Sequence, residues 1–213
     1  MKLLNQLKSF LKNNKVFFIL LVFTPGIVWT SLQPVHLIKE WISFPNYAME
    51  KKTNLFSEER VKYIEDLRWA NVKYTDSDFK SRFFYNKGTV LVDEFFNFIT
   101  FLSPRVYFQS GDGSQFSPPG VEPIAGVFFL FFMLGLIYIL EKRKFKILYF
   151  LIIFTLLPYL SGRRNMAFML PILISYVYIT YLGVERYISK KNLVYGIYVI
   201  SGLYLLGRSC WLA

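Results

Sequence analysis

The sequence holds one cysteine, Cys210, and one histidine, His36, among its 213 residues. A lone cysteine excludes an internal disulfide framework, and a lone histidine leaves no zinc constellation of the usual kind, so neither metal nor cofactor is expected. Cys210 reads as a structural thiol in a membrane helix, the alternative being a reactive one. Acids are also scarce: 14 Asp and Glu stand against 25 Lys and Arg, a formal net charge of +11. Such a surplus raises nucleic acid as a partner, but the basic residues are not interleaved with exposed aromatics on a soluble face, and no nucleic-acid binding is expected. Charge is nearly missing from the long apolar runs, where only Glu122 and Arg208 sit, at the margins. A transporter or channel would carry charges along its path, so that class is disfavoured.

Apolar and aromatic residues are abundant instead: 54% of the chain is hydrophobic and 20% aromatic, including 23 Phe, which is outside the range of an ordinary soluble domain. Five apolar runs, near 16–32, 123–140, 147–160, 166–183 and 193–212, are candidate membrane spans. A bilayer core takes about 20 helical residues, so the third run is short and relies on snorkelling by Lys146 and on interfacial Tyr149 and Tyr159. Pro158 and Pro171 permit kinks of a kind membrane helices tolerate. The expected fold is an all-α integral membrane protein of about five transmembrane helices, with an external α-helical subdomain between the first and second.

The placement of charge sets the orientation. Lys2, Lys8, Lys12 and Lys15 precede the first run, Lys142, Arg143, Lys144 and Lys146 follow the second, and Arg186, Lys190 and Lys191 separate the last two, while residues 33–121 carry as many acids as bases. These clusters predict a multi-pass protein of the cytoplasmic (inner) membrane, with the N-terminus inside and residues 33–121 outside. The expected division is a basic N-terminus and anchor over 1–32, the external subdomain over 33–121, and a four-helix bundle over 122–213. The start of the chain has the outline of a signal peptide, but "FTPGIVWTSLQP" contains Trp29 and lacks a small-x-small cleavage site, which favours an uncleaved anchor.

The external segment has its own helix grammar. In "LFSEERVKYIEDLRWA", Ser57 suits an N-cap, Glu58 and Glu59 fall in the first turn, Phe56 with Val61 fits a hydrophobic staple, and Val61, Ile64 and Leu67 share a face. A second helix is predicted over about 79–102, with Gly88 as a point of interruption. Its "VLVDEFFNFITFL" part is aromatic enough to lie against the membrane surface or the bundle. "SPRVYFQSGDGSQFSPPG", residues 103–120, then forbids a regular helix and must turn the chain before the next apolar run.

"FFNFITFLSPRVYFQSGDG", then "PPG" and an apolar helix ending "GLIYIL", resembles the external loop and following membrane helix of GT-C glycosyltransferases of the protein mannosyltransferase and aminoarabinose transferase group. "LLPYLSGRRNMAFMLPILISYVYITYLG" is similar to their next two helices, and "LFSEERVKYIEDLRWANV" with "RFFYNKGTVLVDEFFNF" to the helices before the loop; the likeness covers about residues 24–183. Such enzymes transfer a sugar from a polyprenyl-phosphate carrier outside the cytoplasmic membrane, using an acidic residue in the first external loop of their N-terminal half. The chain looks like the C-terminal portion of one, without that catalytic half. The resemblance implies a truncated or split glycosyltransferase that is not a complete catalyst alone, with membrane lipid and a polyprenyl-phosphate sugar as partners and a catalytic membrane subunit supplying the missing half. The alternative is a non-catalytic scaffold that binds lipid or protein.

Several residues are candidates for a site. Arg163 and Arg164 can meet a lipid phosphate with charge-assisted hydrogen bonds, or simply anchor their loop to headgroups. Arg105 and Asp112 can form the rim of an acceptor or carrier site, or Asp112 can serve turn amides while Arg105 pairs locally. Glu122, at the mouth of a membrane helix, can pair with Arg105 or Arg164, or stabilise a helix N-terminus. Asp76-Ser77-Asp78 has the form of a metal-holding acid pair, but a lipid-linked donor needs no metal bridge, and capping of the next helix explains it better. Tyr176, Tyr178 and Tyr181 can line an acyl-chain groove or serve packing and interfacial belts.

Overall fold

A computed structural model describes residues 14–75 and 77–212. Lys2, Lys8, Lys12 and Asp76 lie outside the described residues. The described chain is helical throughout, with no strand: α1 Lys15–Val22, α2 Pro25–Ser31, α3 Pro34–Asn54, α4 Glu58–Thr75, α5 Asp78–Phe84, α6 Lys87–Thr100, a π-helical turn Val106–Ser110, a 3-10 turn Gly126–Phe128, α7 Phe129–Glu141, α8 Lys146–Ser161, α9 Met166–Tyr187 and α10 Lys191–Leu212.

Helices α9 and α10 are long and apolar enough to cross a membrane, whereas Gly126–Glu141 and Lys146–Ser161 are apolar but shorter. The first apolar run is divided rather than continuous. Proline cannot donate a backbone hydrogen bond and disfavours helix in the residue before it, so Thr24-Pro25 separates α1 from α2. The polar groups of this break are covered by α10. The Thr24 hydroxyl donates to the Leu20 carbonyl at 2.8 Å and accepts from the Tyr198 hydroxyl at 2.8 Å. Gly202 lies so close to the break that a Cβ there would stand 2.1 Å from the Phe23 carbonyl oxygen.

Helix α9 is the axis of the bundle, fully buried at Met169, Ile172, Leu173, Val177 and Ile179. Its closest neighbour is α7, which it crosses at Gly135 and Gly183. Pro158 and Pro171 lie within α8 and α9 without ending either helix. At one end of the bundle, Lys144 and Arg186 both stand over the Tyr138 ring, 5.0 and 5.2 Å from its centre. The turn joining α8 to α9 lies at the other end, where Trp41, Phe44 and Tyr47 of α3 pack on Phe168 in the first turn of α9.

In the segment over 33–121 the Ser57 cap forms, its hydroxyl accepting from Arg60 N at 3.4 Å. Helix α3 adds 21 residues of helix that the sequence reading did not assign. The helix expected over about 79–102 is two helices. Ser77 caps α5, and Asn86, two residues before Gly88, caps α6 in a reciprocal box with Thr89. The capping account of Ser77 thus holds, and Asp78 is paired with Arg82 at 2.7 Å.

Candidate functional site

The polar stretch after α6 is among the best-tied parts of the molecule. Gly111 has φ +63°, and a Cβ there would meet the Ser117 hydroxyl at 2.2 Å, so both conformation and space require glycine. Asp112 accepts from Ser114 N at 3.1 Å and from the Ser114 hydroxyl at 2.9 Å, while that hydroxyl accepts from Met166 N, the first residue of α9, at 3.4 Å. Thr30, Trp29 and Gln33 donate to the carbonyls of Phe116 and Gln115. Tyr107 and Phe116 are fully buried, and the Tyr107 hydroxyl donates to the Phe101 carbonyl at 2.8 Å. Burial pushes the Asp112 carboxyl above its ordinary value, partly offset by the hydrogen bonds of Ser114. Asp112 is thus held within its own turn by the amide and hydroxyl of Ser114.

Beside this turn lies a groove of about 560 Å³. Its walls include Pro104, Phe108 and Phe129, and its polar lining includes Arg105 and Glu122, which the π-helical turn and the loop after Gly120 bring to one place. No described carboxylate stands within 4.0 Å of Arg105, and no described cation within 4.0 Å of Glu122, so the pair shares a groove without forming an ion pair. Gly126 closes the wall: a Cβ there would meet the Phe108 carbonyl oxygen at 2.8 Å. A smaller groove of about 370 Å³ shares Glu122 and Gly126 and continues along Ile200, Ser201 and Tyr204 of α10.

Arg163 and Arg164 are not in this groove. The Arg163 guanidinium stacks 3.9 Å from the centre of the Tyr47 ring, and Arg164 donates to the Thr100 hydroxyl at 3.0 Å. Both are exposed, and they tie the α8–α9 turn to α3 and to the end of α6. Tyr176 donates to the Leu102 carbonyl and packs on Tyr107 and Phe132, so among its two readings it is used in packing.

Comparison with family models, curated proteins and solved structures finds no match to this chain. Its chemistry must be read from its own residues.

One cluster escaped the sequence reading. Glu94 of α6 is 5% exposed and meets Lys51 of α3 at 2.6 Å and Arg60 of α4 at 2.7 Å. Burial pushes its carboxyl up, but the hydrogen bonds and charges of Lys51 and Arg60 outweigh this and hold it below the ordinary carboxylate value. Its signal in the sequence was the acid pair Asp93-Glu94 inside an otherwise apolar and aromatic run. Both cations are spent on it, and the triad fastens α3, α4 and α6 together.

Proposed function

We propose that this chain is a five-span protein of the cytoplasmic membrane whose groove, on the outer side, binds the phosphate-bearing head of a polyprenyl-phosphate sugar, as the back part of a GT-C transferase would. The observation that carries the reading is the pairing in one groove of an unspent cation, Arg105, and an unspent acid, Glu122, on an aromatic wall. A guanidinium suits phosphate oxygens, a carboxylate suits sugar hydroxyls, and Phe108 and Phe129 suit the first isoprene units. We assign the phosphate contact to Arg105 rather than to Arg163 and Arg164, because the latter are already engaged by Tyr47 and Thr100.

The orientation is supported by the gathering of Lys144 and Arg186 at one end of the bundle and of the loop and groove at the other. The spans are supported by the outward display of Tyr149, Ile152, Ile153 and Leu156 on α8. Transfer also needs a group that activates the acceptor. We assign that role to a catalytic membrane subunit, with the present chain holding the carrier.

A scaffold without carrier binding is the second reading, and the use of Arg163 and Arg164 as structural ties favours it. The two separate in a binding measurement on the chain in lipid nanodiscs with a fluorescent short-chain polyprenyl phosphate. Arg105→Gln is expected to weaken binding by about tenfold, the equivalent of one charge-assisted hydrogen bond. Arg163→Gln with Arg164→Gln should leave it within about twofold of the parent. Equal affinity of all three proteins would leave the scaffold standing.

A further inference from the structure

Helix α6 is built inside out for a helix that faces water. Its inward face holds Val90 and Glu94, both buried, and Phe101 directly after its end is buried too, so the helix turns an acid toward the protein. Its outward face carries Leu91, Val92, Phe95, Phe96 and Ile99, with Phe95 and Phe96 60% and 61% exposed. A helix on a soluble surface places such residues the other way round. Glu94 tolerates its position because Lys51 and Arg60 meet it at 2.6 and 2.7 Å, and the described ring contact of Phe95 and Phe96 is with each other.

We propose that α6 lies in the plane of the outer membrane boundary with Val92, Phe95, Phe96 and Ile99 immersed in lipid. Its 14 residues make a rod of about 21 Å with one apolar side turned out and the other tied to α3 and α4 through Glu94, the form of a helix that lies along a membrane rather than through it. The occupant of the apolar face follows from continuity. Phe98 meets Tyr159 of α8 edge to face with ring centres 5.5 Å apart, and Arg164 donates to Thr100. These contacts seat α6 beside the outer end of α8, whose Ile153, Leu156 and Leu160 are also turned outward. One apolar surface thus runs from α8 onto α6. The inference rests on the reading that α8 crosses the membrane. It deepens that reading by fixing the depth of the groove: Arg105 follows the end of α6 by five residues and so sits among headgroups, where a lipid-borne ligand enters sideways from the bilayer.

The test uses the full chain with Cys210→Ser and one new cysteine, Phe96→Cys, Ile99→Cys, Ile153→Cys or Glu65→Cys, each carrying an environment-sensitive fluorophore. The proteins are reconstituted in phosphatidylcholine and phosphatidylglycerol vesicles containing lipid with a nitroxide either near the headgroup or at mid-chain. Labels at 96 and 99 should lose about half their emission to the shallow nitroxide, while the label at 65 answers only to aqueous iodide. The label at 153 should answer to the mid-chain nitroxide. If 153 behaves so but 96 and 99 answer to iodide, α6 stands in water and the inference is overturned with the spans intact. If 96 and 99 are shielded from both quenchers, protein covers them, a second copy included, and the inference is again overturned. Iodide quenching at 153 would remove the spanning reading and this one with it.

Discussion

Gly183→Leu is expected to abolish folding, and Gly183→Ala to cost about 3 kcal/mol or more, because the space for a side chain is already occupied by backbone. A Cβ at Gly183 would stand 2.0 Å from the Phe131 carbonyl oxygen and 2.8 Å from Gly135 N, and one at Gly135 would stand 1.9 Å from the Ile179 carbonyl oxygen. A flexible side chain can yield by rotating, but a helix backbone yields only by moving the helix. Close approach through small residues brings the two helix backbones into direct contact, so separating α7 from α9 removes what holds the bundle's axis in place. The measurement is thermal unfolding in detergent with Gly196→Ala as control. Gly196 has nothing within 4 Å of a new Cβ, so alanine there should gain about 0.5–1 kcal/mol from helix propensity. Equal melting of Gly183→Ala and the parent would mean that α7 and α9 do not approach this closely.

Glu94→Gln is expected to loosen the helical subdomain of α3 to α6 by about 2 kcal/mol while leaving α7 to α10 folded. The value is set below the cost of breaking a fully buried ion pair, about 3–5 kcal/mol, because Lys51 and Arg60 retain 18% and 30% exposure and can turn toward water. The same carboxyl gives the subdomain a pH dependence. Its folded pKa lies below the ordinary 4.5, so its contribution is complete above that value and is lost as pH falls through it toward the folded pKa. Limited proteolysis between α3 and α6 should therefore accelerate from about pH 5 downward in the parent and much less in the variant. Superimposable pH profiles for the two would show that Glu94 does not hold the subdomain.

The elements that could be read from the sequence are those whose causes are local. Ser57 and the acids after it announced α4 within four residues, and the glycines and prolines over 103–120 announced the turn. The break at Thr24-Pro25 was legible by the same kind of rule, yet the apolar run around it suggested one helix. Helix α3 was missed because its mean hydropathy is near neutral and Pro45 interrupts its pattern, although Pro34 sits at its first turn as a helix-starting proline does. The site divides in the same way. Asp112 binds amides two residues on, and its structural role was already the simpler reading. The partners of Glu94 lie 34 and 43 residues before it, and Arg105 and Glu122 come to line one groove only because the loop between them turns the chain back, so neither arrangement has a local pattern to read.

The cover that α10 lays over the break between α1 and α2 also bears on the order in which the molecule is made. Thr24 and its hydroxyl partner Tyr198 are 174 residues apart, nearly the whole chain. At about 5–20 residues per second, ribosomes separate the two by on the order of ten to forty seconds. Throughout that interval the first apolar segment is made while its interrupted backbone lacks its final protein neighbour, and another partner must serve in its stead. The break between α1 and α2 is thus completed only after Tyr198 is delivered, which makes this seam a late step in the folding of the protein.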